Sequence, residues 1–587
     1  MTVSLKDLQV LVLDCQTTGS HPGNGHLLEI GWAAIRAGHV KDGFEQIAGA
    51  HLVALPGQAT IPRHVARLTG ISDDDLKQIP RPAEVWEELV HAAGKVAAAG
   101  RASFCPTVIH FARFEEPFLR HFHQQHGPET PFPFDIICSH EIARRLLPDL
   151  PRRGLRAVAG YFGHSVPQQK RCSAHAVATA FIWHHLVKML TRTCEIHSVD
   201  ELRVWLKDTP VPAAVKRRFP MQRGIRLALP DKPGIYRLLR SNGDVLYIGK
   251  AASLKRRVNS YFQKSRQHSE NTLEMLTQAA DLRVTPTGSA LEAALLESEE
   301  IKRQCPPYNI ALKQGDRQLW FCNRDFSRFS PAVDHYHRLG PIPSRRAFAA
   351  LNAIGRFLQQ DPNEYPDIAQ LTAADFLGIP SEYAPQSQCL LEGLNIFRHT
   401  HADLEQSGNL WRALLTIGTR LWREKMEEPV SVNDPDESGT AEPDKEGKTF
   451  GPESWTPESV VKGVESLLRR CAHWLRRSRW FCVLSESCLS WNRGNCPDET
   501  KIVLVFAGGG VVERYQAKSR MPLPRPPGAG VPFEDRQRNL DLITYDRLRV
   551  ATTELRRLLG ENRSVRLRVG KRALLKKKEL SGALKWL

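Results

Sequence analysis

The dipeptide Asn242-Gly243 constrains this 587-residue chain more tightly than any other short stretch in it. It stands between two alternating apolar runs, "GIYRLLRS" and "DVLYIGK". In that setting Asn-Gly is a strong signal for a two-residue hairpin, because both turn positions favour positive φ. The turn sets the register. Tyr247 then falls opposite Leu238, one same-face step from Tyr236, so both tyrosines occupy one face of the hairpin as diagonal neighbours and their hydroxyls can serve one site.

The residues beyond the hairpin add charge to that face. Ser253 is placed to N-cap a helix whose buried stripe is Leu254, Val258 and Phe262, with Arg257 and Tyr261 flanking it at i and i+4. Lys250, Arg256 and Arg257 make this end either a phosphate clamp or a solvated basic face. A second helix opens on the capping box Ser289 to Glu292. Farther along it, Glu297 sits among Ala293, Ala294 and Ile301 at helical neighbour positions, a costly place for an unpaired carboxylate. A bound cation would relieve that cost; a glutamate at a surface edge is the alternative.

The segments "KPGIYRLLRSNGDVLYIGKAASLKRRVNSYF" and "SALEAALLESEEIKRQCPPYNI" resemble the GIY-YIG endonuclease family. They are nearest to the amino-terminal nuclease domain of UvrC-type excinucleases and to the single-nuclease Cho proteins. The resemblance implies hydrolysis of a DNA phosphodiester with one divalent metal ion, Mg²⁺ or Mn²⁺, held by Glu297. It also implies a catalytic set of Tyr236, Tyr247, Lys250, Arg257, Tyr261 and Asn309, with Lys250, Arg256 and Arg257 touching DNA. Arg257 would stabilise developing phosphorane charge, and Lys250 and Asn309 would position groups around it. One tyrosine would help activate water. With a free pKa near 10, it needs about three units of phenolate stabilisation, roughly 4 kcal/mol, to act near neutrality. Whether Tyr236 or Tyr247 is that base stays open in the sequence.

A different motif opens the chain. "VLDCQTTG", "IPRHVARLTGISDDDL", "VIHFARFEEPFL" and "ARRLLPDLPRRGLRAVAGYFG" resemble successive segments of the DnaQ-like exonucleases, which hold two cations with four carboxylates and activate water with a histidine. Here Asp14 keeps its place, Gln16 replaces a carboxylate, and Glu115 stands for a shorter aspartate. In "KRCSAHAVATA", Lys170 falls at the histidine and His175 at the final aspartate. Residues 151–199 contain no aspartate and one glutamate, Glu195, so no shift of alignment restores the ligand. Two carboxylates of four hold two hard cations poorly. The expectation is a degenerate exonuclease site at Asp14, Gln16, Glu115, Lys170 and His175, with no second-metal site.

Length calls for several domains. The expected fold is multidomain α/β. An RNase H-like exonuclease fold (1–195) is followed by a linker (196–225), a small α+β GIY-YIG domain (226–320) and a mostly helical segment (321–426). An acidic flexible linker (427–458) then leads to a carboxy-terminal α+β domain (459–587) of unassigned role, in which "VVKGVESLLRRCAHWLRRS" reads as a helix and "WFCVLSE" as a strand. Residues 427–453 hold nine acidic and two basic residues, leaving +24 on the rest of a chain whose net charge is +17. Such an excess favours a polyanionic partner. The cysteines include no C-x-x-C pair, and Cys482, Cys488 and Cys496 read as buried thiols rather than a metal site.

No apolar run approaches the length of a membrane span, and no basic lead-in precedes "LQVLVL", so the reading is cytoplasmic with no membrane partner. The function expected is excision-repair type incision of double-stranded, damaged DNA beside a damage-recognition complex of the UvrA/UvrB type. The exonuclease-like fold would then serve as a DNA- or protein-binding platform. The alternatives are a 3′→5′ proofreading exonuclease and a non-catalytic DNA-binding scaffold.

Overall fold

The computed structural model describes residues 3–39, 49–57, 59–77, 79–212, 217–263, 268–309, 318–359, 377, 387–401, 409–427, 455–492, 500–561, 564–571 and 573–585. Most of the expected acidic linker, and Cys496, lie outside them. The chain forms two compact units. One is Met1–Ser289 with Gln304–Ile310, and the other is Ala290–Arg303 with Ala311–Leu587.

The first unit begins with a five-stranded sheet in the order β3-β2-β1-β4-β5. Its strands are β1 (Gln9–Thr17), β2 (Leu27–Arg36), β3 (Gly49–Leu52), β4 (Cys105–Ile109) and β5 (Phe134–Cys138). The first three pair antiparallel, whereas β1, β4 and β5 run parallel. This is the RNase H-like exonuclease fold expected from the sequence. The run "VLVLDC" is apolar on both sides because both faces are covered. Val10 and Val12 enter a core with the long helix Cys172–Thr193, while Leu11, Leu13 and Cys15 enter another with Pro82–Gly100 and Ala112–His126. In chain order these helices are α1 (Arg63–Thr69), α2 (Pro82–Gly100), α3 (Ala112–His126), α4 (Ser139–Leu146), α5 (Leu155–Tyr161), α6 (Cys172–Thr193) and α7 (Val199–Asp208). The last corrects the expected linker over 196–225: Ser198 caps α7, and Leu202 is buried in the first core.

A second, smaller fold completes this unit. After α8 (Arg223–Leu227) come β6 (Gly234–Leu239), β7 (Val245–Ala251), α9 (Leu254–Ser260), α10 (Glu270–Gln278) and β8 (Asp281–Pro286), with strand order β7-β6-β8. The register is as expected, with Leu238 opposite Tyr247, but the turn is not. Arg240 donates its N–H to the Asp244 carbonyl at 2.9 Å, so the loop has three residues, Ser241 to Gly243. Gly243 takes φ +92°, and a bulge beyond Leu239 restores the pairing. From this loop Asn242 Nδ2 donates to the Gly163 carbonyl at 2.8 Å, a bond to the exonuclease fold.

The second unit holds α11 (Ala290–Gln304), a three-stranded sheet, a cluster of helices and a final α+β layer. The sheet, β9 (Trp320–Cys322), β10 (Phe329–Ser330) and β11 (Leu339–Ile342), opens the segment expected to be mostly helical. Helices α12 (Arg345–Gln359), α13 (Ser387–Thr400) and α14 (Leu410–Glu427) come next, then the 28-residue α15 (Pro457–Leu484). The segment "WFCVLSE" is therefore the end of a helix, not a strand: Trp480, Phe481 and Leu484 continue its i, i+3, i+4 stripe. A short aromatic run reads alike in both periodicities, and only length separates them.

Helix α15 also corrects the idea of a separate carboxy-terminal domain. Its first half, Val460 to Leu475, packs with α12, α13 and α14, and its last turns pack with the final α+β layer. That layer is a five-stranded antiparallel sheet, β14-β13-β12-β15-β16. Its strands are β12 (Ser487–Asn492), β13 (Thr500–Ala507), β14 (Gly510–Lys518), β15 (Val565–Val569) and β16 (Ala573–Lys576). The helices α16 (Phe533–Arg538), α17 (Leu542–Gly560) and α18 (Lys577–Lys585) complete it.

Candidate active site

Three tyrosines and an arginine converge on the β6–β7 hairpin. The Tyr236 and Tyr247 rings lie 6.1 Å apart between centroids, and Tyr236 and Tyr261 lie 6.2 Å apart. The Tyr236 and Tyr261 hydroxyls are hydrogen bonded at 2.9 Å. Arg257 places its guanidinium carbon 5.3 Å from the Tyr261 ring centroid. Local sequence explains the convergence. Ser253 accepts from the Arg256 N–H and starts α9, Leu254 and Val258 are buried beneath it, and the next turn delivers Tyr261.

The motif glycines have a steric reason that pattern reading missed. A Cβ on Gly249 would lie 2.5 Å from Tyr236 Oη and 2.8 Å from Tyr247 Cε1. A Cβ on Gly234 would run into the Thr285 carbonyl of β8. Glycine at 249, opposite Tyr236, is what lets the two diagonal aromatic rings pack over the strand.

Electrostatics separate the tyrosines. Tyr236 is fully buried, and burial first, then the neighbouring Tyr247 and Tyr261, push its pKa well above the ordinary tyrosine value against the pull of Arg257. It keeps its proton at neutral pH. Tyr247 is half-buried. Burial would weaken Arg257 as a base for its own proton, but the three hydroxyls outweigh it and hold the guanidinium charge more firmly than usual.

The remaining predicted residues are distributed differently. Asn309, 6% exposed, accepts from the Ile248 N–H at 2.9 Å and donates to the Ile248 carbonyl at 2.8 Å. Its amide thus acts as one more rung on β7. Arg256 is exposed, with Nε 3.7 Å from Asp231 Oδ1. Lys250 is half-buried near the end of β7. Glu297 is half-buried on α11, on a face where Ala293, Ala294 and Ile301 are all buried. A carboxylate there is a hard oxygen donor of the kind Mg²⁺ takes one or two of beside substrate phosphate.

The exonuclease-like site has a different character. Asp14 and Gln16 leave β1 on the face of Val10 and Val12, toward the first turn of α6. There Gln16 Nε2 donates to Asp14 Oδ2 at 2.9 Å, and His175 Nδ1 lies 3.2 Å from Asp14 Oδ1 and 3.3 Å from Gln16 Nε2. Glu115 Oε2 accepts from the Cys15 N–H at 3.0 Å. Burial and the Asp14 charge hold the Glu115 pKa well above the carboxylate range. The site therefore gathers Asp14, Gln16, Glu115 and His175. Lys170 is exposed and contributes no side-chain bond to them, its backbone N–H donating to Leu68 O instead.

Comparison with known proteins agrees with both domains. The UvrC-like GIY-YIG domain family matches residues 232–310, and the exonuclease family matches residues 11–176. The chain joins an exonuclease-type domain to a UvrC-like GIY-YIG nuclease domain. A Mycobacterium tuberculosis protein whose name describes a bifunctional exonuclease/endonuclease is 29% identical over 364 residues, covering 60% of this chain and 53% of that protein. The UvrABC system protein C of Clostridium perfringens is 46% identical over 114 residues, 19% of this chain and 18% of that one. The chain thus spans about half the length of the first relative and under a fifth of the second. The crystal structure of the GIY-YIG endonuclease domain of Thermotoga maritima UvrC, bound to magnesium as its catalytic cation, is 31% identical. It is covered completely by 15% of this chain, with a TM-score of 0.14.

Proposed function

We propose that this protein is a divalent-metal-dependent DNA endonuclease that makes an excision-repair type incision through its GIY-YIG domain. The observation that carries the reading is the cluster of Tyr236, Tyr247, Tyr261 and Arg257 at one end of a sheet. It concentrates ionisable hydroxyls and a fixed positive charge where a phosphodiester could lie. Glu297 would hold one Mg²⁺ or Mn²⁺, which supplies charge neutralisation at the scissile phosphate.

The surroundings of the chain's own groups give them their roles. Tyr236 holds its proton too firmly to be a base, and its hydroxyl is engaged by Tyr261, so the pair orients. Tyr247, the half-buried one, takes the proton from the attacking water. Arg257 stabilises negative charge on the phosphorane, and Asn309 keeps β7, and with it Tyr247, in place. Lys250 and Arg256 bind DNA phosphates alongside.

The exonuclease-like site is read as inactive. The oxygens of Asp14 face an amide N–H and an imidazole where the family places cations, and burial beside Asp14 holds the Glu115 pKa well above the carboxylate range. Its fold would serve as a platform for DNA or protein. The substrate is taken to be damaged duplex DNA in the cytoplasm, delivered by a damage-recognition complex of the UvrA/UvrB type. Among the described residues no helix is long and apolar enough to cross a membrane.

The test is a nicking assay on lesion-bearing duplex with Mg²⁺. Glu297→Ala should abolish cutting and Asp14→Ala should leave it intact. Loss of cutting in the Asp14 variant alone would overturn the assignment.

A further inference from the structure

Helix α11 is buried on two sides. At about 100° per residue, Leu291, Leu295, Ser298 and Lys302 fall in one narrow stripe. Leu291 and Leu295 join the core of the carboxy-terminal layer with Trp480, Phe481, Tyr545 and Leu548, and Ser298 is 2% exposed. Lys302 ends the stripe in an unusual position for a lysine. Its Nζ lies 3.2 Å from Asp546 Oδ2 and donates to the Ile543 carbonyl at 3.2 Å, and the two side chains are only 6% and 1% exposed. Near the start of the helix, Glu292 Oε2 meets Arg514 Nε of β14 at 2.9 Å.

These attachments restrict how α11 can move. Sliding the helix by one residue would rotate it by about 100° and draw the Lys302 ammonium away from the Asp546 carboxylate and the Ile543 carbonyl. A buried charge separated from its partner is strongly disfavoured. Glu297, about 140° around the helix from Lys302, lies on the other buried face, with Ala293, Ala294 and Ile301.

We infer that the carboxy-terminal α+β layer is the mount of the metal-binding helix, with Lys302 and Asp546 as positioning residues that set how α11 presents the Glu297 carboxylate. This rests on the reading of Glu297 as the cation ligand. It gives the unassigned carboxy-terminal region a task in the nuclease reaction: fixing the element that carries the cation ligand.

The test uses the full chain with Lys302→Met, Asp546→Asn and the reciprocal pair Lys302→Asp with Asp546→Lys. Mn²⁺ binding without DNA is followed by loss of the free-ion paramagnetic resonance signal, beside the Mg²⁺ concentration for half-maximal nicking. Each single substitution should weaken Mn²⁺ binding about 10-fold, the scale for residues that orient a ligand, and raise the Mg²⁺ requirement to match. The reciprocal pair should recover most of that loss. Glu297→Ala is measured in parallel. Should it bind Mn²⁺ and nick as wild type does, the ligand reading itself fails. If Glu297→Ala loses both while the folded single variants keep wild-type Mn²⁺ affinity, the mount alone is overturned. Arg514→Gln, at the more exposed pair, repeats the comparison if the buried variants do not fold: weakened Mn²⁺ binding supports the mount and wild-type binding overturns it.

Discussion

Tyr236 and Tyr247 are one same-face step apart and chemically unequal. Substituting phenylalanine should separate them. Tyr247→Phe should lower the nicking rate about 10²-fold or more, as loss of a general base does. Tyr236→Phe should cost about 1 kcal/mol of stability in urea unfolding by removing the buried hydroxyl bond to Tyr261, with the smaller effect on rate. Glu115 offers a test by pH. Its folded pKa is raised, so below the ordinary carboxylate range both folded and unfolded chains are protonated and nothing is lost. As pH rises from there toward the folded pKa, the unfolded state ionises first and the fold loses stability. Glu115→Gln should therefore raise the thermal midpoint at pH 7 in EDTA, and the gain should vanish near pH 4. None of this inequality could be read in the motif, where the two tyrosines are equivalent letters; burial and the Tyr261 bond distinguish them.

At the scale of elements, the joint between the exonuclease fold and the GIY-YIG fold is helix α5 against α10. Arg152 pairs with Glu270 at 2.6 Å and Arg156 with Glu274 at 3.4 Å, but the closest approach is at Gly160, where an added Cβ would run into the Gln278 amide. Gln278 is 1% exposed and its Oε1 accepts from Arg240 Nε at 3.0 Å, so it has little room to give. Gly160→Ala should destabilise this unit by about 1–3 kcal/mol in urea titration, the range for overpacking a tight contact. The hairpin register, the capped α9 and the two covered faces of β1 were all legible, because they are dictated by residues close in sequence. The three-residue loop, the helical end of α15 and the packing of α7 were not. The loop is one of two local turn types open to such a sequence, and the other two depend on distant partners, the carboxy-terminal core and the first core.

For the whole molecule, acid should be the weak point. Burial holds His110 down at about 3, with His140 adding to it; His185 is at about 4 and His473 at about 3, each lowered first by burial and then by neighbouring cations or histidines. Folded neutral histidines cost nothing above the unfolded value of about 6.5. Below it the unfolded chain gains protons that the fold refuses, at up to about 1.4 kcal/mol per pH unit for each. Urea midpoints should fall between pH 7 and pH 5 in both units, since His110 and His185 belong to one and His473 to the other. Any of the 22 histidines in the sequence looks alike before folding.

The sequence by itself determined the two folds of the first unit, the hairpin face shared by the tyrosines and the loss of carboxylates around Asp14. Those properties come from local periodicity, turn chemistry and residue identity. Tertiary structure alone decided that Asn309 serves Ile248, that Lys170 stays outside its expected site and that α11 is bound to the carboxy-terminal layer through Lys302 and Asp546. Burial and long-range pairing assign those partners, and they exist only once residues 61 to 244 positions apart are brought into contact.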